Sequence, residues 1–433
     1  TFSIEKPLGG GQVVVSGLYK YLSNYFDVIV LSIVSHDQER RTIHIKEGLQ
    51  NKVIPMSLEE TKILWDFERK YGIGLSDFIH IDNISLSREY IEAVKQLADQ
   101  SDVLIFEHPY LVNILDHLKA GKKIIYHAID VEFLQKKNLY GNFPELLDRV
   151  KAVEARACDN AQVIFTTCEA EKRALKELYP EIGCKYIHIV PNGIDADRIP
   201  FITPLEHRST KKNYPEFLDK TVCLFVGSWH PPNLEAAEFV IDELAPENIH
   251  IHYLLVGSVK EFFYHKHGSG AKVPPNVHFL GLLEEDEKWE VYRLADFAIN
   301  PMLSGAGTNI KMLEYMAAGL PVITTPFGAR GIDSGKFLYF EKVEDFFIAI
   351  NSIRQNPEIR QETVRSNLQT VKEDYNFPVI AKKIRDVIYK ELLGDYNLLL
   401  LDRLSDEFLN LGISEDMEIL DSTAEEIGNL IGS

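Results

Sequence analysis

Short runs of β-branched and other apolar residues recur along most of the chain, with helical patterns between them. A first series is expected as strands at Val28–Ile33, Val103–Phe106, Lys123–His127, Val163–Thr167 and Tyr186–Val190. A second follows at Val222–Gly227, His252–Gly257, Val277–Leu280, Phe297–Asn300, Pro321–Thr324 and Phe337–Phe340. Strands this apolar leave no polar face for water, so they suit parallel sheets covered on both sides. Helices between parallel strands are βαβ units, and the expected class is α/β.

The two series are divided by Pro191-Asn192-Gly193, a strong turn signal, and by a polar, Lys-rich stretch from His207 to Lys220. The chain has 433 residues, enough for two or three cores at ~150 residues per domain. The pattern predicts two doubly wound, Rossmann-like domains, residues 1–200 and 201–375, with a linker near 192–220. Such sheets bind ligands beyond the carboxyl ends of their strands, so two facing each other make a deep cleft. A further helix is expected over 379–392, after Asn376-Phe377-Pro378, with Ile380, Ile384, Ile388 and Leu392 at i+4 spacing.

Composition narrows the function. The formal charge is −19, of which −9 falls in an acidic tail at 395–433 interrupted by Gly412 and Gly428. That balance argues against non-specific nucleic-acid binding, which needs clustered Lys and Arg. The tail is expected to be a dispensable appendage, the alternative being short amphipathic helices around Phe408, Leu409, Leu411, Ile419 and Leu420 that contact a partner. Cys158, Cys168, Cys184 and Cys223 show no C-x-x-C or zinc spacing and read as reduced thiols of a cytoplasmic protein. No apolar run approaches the ~20 residues of a membrane span. The chain opens on Thr1, and the apolar run before its first glycine cluster is only Phe2–Ile4, as in a chain trimmed at its start.

Four segments carry candidate chemistry. Gly9-Gly10-Gly11 precedes Val14, Leu18 and Leu22 on one helical face. Glycines opening a helix let backbone N–H groups approach an anion, although the spacing is neither a P-loop nor a dinucleotide fingerprint. Ser304-Gly305-Ala306-Gly307-Thr308-Asn309-Ile310-Lys311-Met312-Leu313-Glu314 follows an expected strand and ends at Gly319 and Pro321. There, Lys311 suits a pyrophosphate and Glu314, one turn on, suits sugar hydroxyls; the alternative is a surface Lys–Glu pair. His127 leaves a strand at its carboxyl end and is placed to hydrogen-bond a substrate or shuttle a proton, or to serve structure alone; His108 has a similar address. In Gly227-Ser228-Trp229-His230-Pro231-Pro232-Asn233, His230 is a candidate phosphate contact, and Asn233 either touches phosphate or, the favoured reading, caps the next helix.

Taken in order, these segments resemble the retaining GT-B glycosyltransferases of glycosyltransferase family four. The resemblance runs from about Gly9 to Leu392 and is carried by Val190-Pro191-Asn192-Gly193-Ile194-Asp195, Leu224-Phe225-Val226-Gly227, Val277-His278-Phe279-Leu280-Gly281, Ala295-Asp296 and Gly305 to Pro321. It implies a GT-B architecture and retaining transfer of a sugar from a nucleotide-sugar donor to a glycan, lipid-linked or other hydroxyl acceptor. It implies no metal and no cofactor beyond the nucleotide sugar as co-substrate. A lipid-linked acceptor would bring the enzyme to the inner face of the membrane. His127 and Lys311 match catalytic positions; Gly10, Gly11, His230, Gly307, Thr308, Lys311 and Glu314 match the donor site, with Glu314 on the ribose hydroxyls. The 379–392 helix matches one that crosses back to the first domain.

The chain departs from the family in two places. The first of the family's paired glutamates is Ala306 here, and no Lys or Arg follows Gly227 before Lys260. A subset with Gly-Thr-x-x-Lys-x-x-Glu fits better, with Lys311 taking over the phosphate charge. Two other readings stay open: a non-catalytic GT-B-like protein that binds a nucleotide sugar or glycan, and a GT-B sugar-nucleotide epimerase.

Overall fold

The computed structural model describes residues 3–5, 10–183, 185–305 and 307–394. Phe2, Gly9, Cys184, Ala306 and the acidic segment 395–433 lie outside the described residues. The chain divides into a large unit, Thr1–Ile384, and a second from Arg385. All that follows on sheets and the site concerns the large unit.

Among the described residues thirteen strands form three sheets. In the first half, β1 (Val28–Val34), β2 (Arg41–Lys46) and β3 (Leu49–Pro55) lie in the order β1-β3-β2, with β1 and β3 parallel and β2 antiparallel to β3. β4 (Val103–Phe106), β5 (Lys123–Ala128), β6 (Val163–Thr166) and β7 (Tyr186–Ile189) form a parallel sheet in chain order. The second half holds β8 (Thr221–Val226), β9 (Ile251–Val256), β10 (Val277–Gly281), β11 (Phe297–Asn300), β12 (Val322–Thr324) and β13 (Leu338–Tyr339). Their order is β10-β9-β8-β11-β12-β13, all parallel. The strands expected from Val28 onward all form, with ends shifted by a residue or so.

Period-two alternation explains why the second sheet needs helices on both faces. Val222 and Leu224 of β8 point into one core with Leu254, Ala298, Leu313 and Met316. Their neighbours Cys223 and Phe225 point into the opposite core with Tyr253, Phe297, Ile299 and Ile323. Each large side chain so buried contributes about 1.5–3 kcal/mol. In the first half, Ile124, Tyr126 and Ala128 of β5 pack likewise against Leu146, Val150 and Val153 of the Pro144–Asn160 helix.

Four expectations are corrected. The hairpin β2–β3 was not foreseen: β2 alternates half-exposed and exposed residues, so it carries no apolar run. The stretch expected as linker contains a helix, Pro204–Asn213, started by a capping box in which Thr203 and Glu206 satisfy each other's backbone N–H groups. Residues 3–5 form a bend rather than a strand; Asn51 Oδ1 accepts hydrogen bonds from Ser3 Oγ at 2.7 Å and from Ile4 N at 3.2 Å. The helix after Asn376 runs over Phe377–Val387, followed by a wider turn at Ile388–Leu393 that Gly394 stops at φ +73°.

The chain returns to the first half at that helix. Ile194 bridges Asn376, whose side chain accepts from Ala196 N at 3.1 Å. The Phe377 ring stacks on Tyr21 at 6.3 Å and fills the space where Gly17 has no side chain; a Cβ there would stand 2.1 Å from it. Cys158, Cys168 and Cys223 are buried free thiols, and burial raises the pKa of each.

Candidate active site

Strand order locates the site in the second half. Counted within their own sheet, the strands run 3-2-1-4-5-6, the order of dinucleotide-binding folds, and the order reverses between β8 and β11. The loops leaving these two strands meet in the crevice at that switch point. After β8 comes Gly227 to His230, then the helix Pro231–Phe239; after β11 comes the Gly305–Thr308 loop, then the helix Ile310–Ala318. Gly305 at φ +114° and Gly307 at φ +64° adopt backbone conformations that side chains oppose, which is why this loop is built on glycine.

Lys311 stands in the first turn of its helix. Its Nζ donates to Asn233 Oδ1 at 2.7 Å, lies 3.8 Å from Met302 Sδ and sits 4.3 Å above the Phe225 ring. None of these contacts is a carboxylate. Burial first, then the Arg330 guanidinium, pushes the Lys311 ammonium down to about 7. His230, at the start of the Pro231–Phe239 helix, is also held below its ordinary value by desolvation and then by Lys311 and Arg330. A Cβ on Gly305 would stand 3.0 Å from Arg330 Nη2. Two cationic side chains, Lys311 and Arg330, the His230 imidazole and two helix N-termini thus converge on one loop, an arrangement that favours an anion.

Asn233 is not the helix cap expected for it. The cap is His230, with Pro231 and Pro232 opening the helix, and Asn233 lies inside, where its Nδ2 donates to Ser228 Oγ at 3.1 Å while its Oδ1 accepts from Lys311. Thr308 Oγ1 is buried without a partner. A Cβ on Gly331, at φ +77°, would meet Thr308 Oγ1 at 2.3 Å, so the Arg330–Gly331 turn closes tightly over the loop. Glu314 and Lys311 share no contact: Glu314 Oε2 accepts from Lys288 Nζ at 2.8 Å and from Tyr292 hydroxyl at 3.1 Å, both on the Glu285–Leu294 helix. Gly10 and Gly11 lie in the first turn of the helix Gly10–Leu22, exposed, with open space where a Cβ would be.

The first half contributes a second set of side chains. His127 ends near the carboxyl end of β5 and is buried; its Nδ1 lies 3.0 Å from Glu107 Oε2, and its Nε2 is buried without a partner. Tyr19 hydroxyl donates to the other oxygen of Glu107. Burial pushes the Glu107 carboxyl up, but His127, Tyr19 and His108 outweigh it and hold it below the ordinary value. His108 is engaged elsewhere: its Nδ1 lies 2.6 Å from Glu132 Oε1, and that carboxylate, against the pull of burial, holds the imidazole above its ordinary value. Asp130 follows His127 by one short turn. Burial, then Glu171 and Glu132, push its carboxyl up to about 8; burial pushes Glu171 up to about 7.

The halves meet at this point. A Cβ on Gly307 would lie 2.6 Å from Asp130 Oδ1, Glu169 N donates to Asp333 Oδ2 at 3.1 Å, and Arg330 feels the charges of Asp130 and Glu171. Sequence reading passed over Arg330, Glu107 and Asp130 as functional groups. Arg330 had a signal, the Gly328-Ala329-Arg330-Gly331 turn just beyond β12; nothing in the sequence ties Tyr19 to Glu107.

Comparison with known proteins agrees with this geometry. Residues 220–356, which carry both loops, match the family model described as Glycosyl transferases group 1. Over 415 residues the chain is 21% identical to the putative glycosyltransferase YtcC of Bacillus subtilis, covering 90% of this chain and 89% of that protein. Among solved structures it is similar to sucrose-phosphate synthase of Thermosynechococcus elongatus, with a TM-score of 0.65 at 15% identity over 89% of this chain and 94% of that one. It is also similar to Anabaena Alr3699/HepE in complex with UDP, with a TM-score of 0.59 at 15% identity over 89% and 97%. The fold is therefore the α/β GT-B architecture, with parallel sheets in two Rossmann-like halves.

Proposed function

We propose that this protein is a glycosyltransferase that moves a sugar from a nucleotide-sugar donor to an acceptor hydroxyl with retention of configuration. The observation that carries the reading is Lys311, a desolvated ammonium with no carboxylate among its contacts, at the switch point of a Rossmann-ordered sheet. A cation left without a counter-charge costs stability unless a ligand supplies one. The donor diphosphate supplies it, lying among Lys311, His230, Arg330 and the N–H groups that open the Ile310–Ala318 helix. As the bond to the sugar breaks, charge grows on the leaving diphosphate, and this fixed cradle stabilises it with little reorganisation. The same cradle does the work a divalent cation would do, so transfer proceeds without one. Gly307 and Thr308 let the loop approach the phosphates, Gly10 and Gly11 leave the facing helix start open, and Glu314 holds the ribose hydroxyls. His127, with Nδ1 against Glu107, offers Nε2 to the sugar. The acceptor hydroxyl attacks from the face the diphosphate leaves, and no covalent nucleophile is invoked.

Acceptors of the expected kind are glycans or lipid-linked sugars, met in the cytoplasm or at the inner face of the membrane. Among the described residues no helix is long and apolar enough to cross a membrane. The test is a thermal-shift screen with UDP, GDP, ADP, CMP and their sugars, followed by an assay for released nucleotide in the presence of EDTA. Saturating donor at a hundredfold excess over Kd stabilises by about 2.7 kcal/mol. Binding without release of nucleotide would support a binding protein, and a converted sugar still attached to its nucleotide would support an epimerase.

A further inference from the structure

The cradle accounts for the diphosphate but not for the sugar beyond it. A sugar ring presents hydroxyl groups that need acceptors once water is excluded, and most carboxylates around this site are engaged. Glu314 is held by Lys288 and Tyr292, Glu132 by His108 and Tyr110, Glu107 by Tyr19 and His127, and Glu171 by Thr167. Asp130 is different. Its Oδ2 accepts from Gln135 Nε2 at 2.8 Å, while its Oδ1 is buried with no partner. That oxygen faces the donor loop, close enough that any side chain at Gly307 would collide with it. Two other buried polar atoms without partners flank the same junction: Thr308 Oγ1, next along the loop, and His127 Nε2, three residues before Asp130. Buried polar atoms in native proteins are almost always paired, so two orphans, Asp130 Oδ1 and Thr308 Oγ1, at one loop mark a place that a polar ligand completes.

We propose that Asp130 is the carboxyl that binds the hydroxyls of the donor sugar, reaching the Gly305–Gly307 loop from the opposite half of the molecule. This loop has Ala306 where its relatives are expected to carry a glutamate, so the carboxyl comes from the facing strand end instead of from the loop itself. The inference rests on the glycosyltransferase reading. It adds that the sugar-binding carboxyl and the phosphate-binding lysine sit on different halves, so the intact donor contacts both while the bare nucleotide contacts one.

That asymmetry sets the experiment. Isothermal titration would compare UDP with UDP-glucose, or the GDP or ADP pair if the wild type prefers it, on the wild type, Asp130→Asn, Asp130→Ala and Asp130→Ala combined with Ala306→Glu. Loss of Asp130 should weaken the nucleotide sugar by roughly three- to tenfold, the scale of a hydrogen bond between neutral groups, and leave the nucleoside diphosphate within about twofold. Ala306→Glu should restore part of the loss. Melting temperature should not fall in Asp130→Asn, since the amide oxygen can still accept from Gln135 and the oxygen it replaces on the other side has no partner in the fold. A variant that binds both ligands as the wild type does, or weakens both alike, overturns the role of Asp130 while leaving the glycosyltransferase reading standing. A wild type blind to every nucleotide sugar tested overturns both.

Discussion

The two ends of the second sheet treat charge in opposite ways. Before β11, at the amino end, Asp296 accepts from Lys211 Nζ at 2.6 Å and from Val222 N at 2.8 Å, and lies 3.1 Å from His207 Nε2. Lys211 also donates to the Lys220 carbonyl at 2.8 Å. After β11, at the carboxyl end, Lys311 has an amide, a thioether and an aromatic ring. Both lysines are withdrawn from water, but only one has its charge answered from within the chain. A cation paired and hydrogen-bonded on all sides holds the fold together; one left with neutral neighbours is kept for something that arrives from outside.

The comparison breaks or sharpens with substitution. Lys311→Ala should lower kcat by ~10²–10³, the scale for losing one transition-state donor, with no loss of stability. Asp296→Ala should do the reverse: about 3 kcal/mol of stability lost, the low end for removing one member of a buried pair, with kcat preserved in the folded fraction. Steady-state kinetics on varied donor and urea denaturation would read the two effects. Equal kinetic loss in both variants would erase the distinction.

Glu314 should give a smaller effect of a different kind. The role proposed for it is to hold ribose hydroxyls that look alike in ground and transition states, so Glu314→Ala should mainly raise KM, by roughly ten- to a hundredfold. A fall in kcat with KM unchanged would mean that Glu314 acts on the reaction and not on the nucleotide.

Acidity gives the smallest effect and the clearest sign. The free enzyme holds Lys311 at about 7 against an ordinary 10.5. Below about pH 7 the group is charged whether the chain is folded or not, and the cost of desolvating it is fully present. Between pH 7 and 10.5 the unfolded chain binds the proton more tightly, so this contribution to stability rises with pH. Donor affinity runs the other way, because the diphosphate needs the ammonium: it should fall as pH climbs above about 7, by at most tenfold per unit. Titration with a nucleotide sugar, whose diphosphate does not itself titrate there, should show this slope in the wild type and its absence in Lys311→Met.

Much of the fold could be read from the chain because parallel strands buried on both faces are apolar throughout, as in Val222–Val226 and Phe297–Asn300. β2 was missed for the complementary reason, since half of a surface strand is written in polar residues. The proposed phosphate side of the site was legible because glycines, a helix start and Lys311 are neighbours in sequence. The sugar side was not: Tyr19, Glu107 and His127 become neighbours only through the fold, and Asp130 meets Gly307 only when the two halves close on each other. Asn233 was misassigned because two prolines can open a helix before it as readily as it can cap one.

The packing of Phe377 into the gap left by Gly17 has a consequence for how the protein is made. The first half leaves the ribosome early, yet it cannot seal the surface around Gly17 and Tyr21 until nearly the last stretch of the described chain has emerged. Until then its first helix carries an uncovered apolar notch. Nascent chains arrested before Phe377 would be the ones that chaperones hold, and completing that contact is a step that no local sequence can hasten.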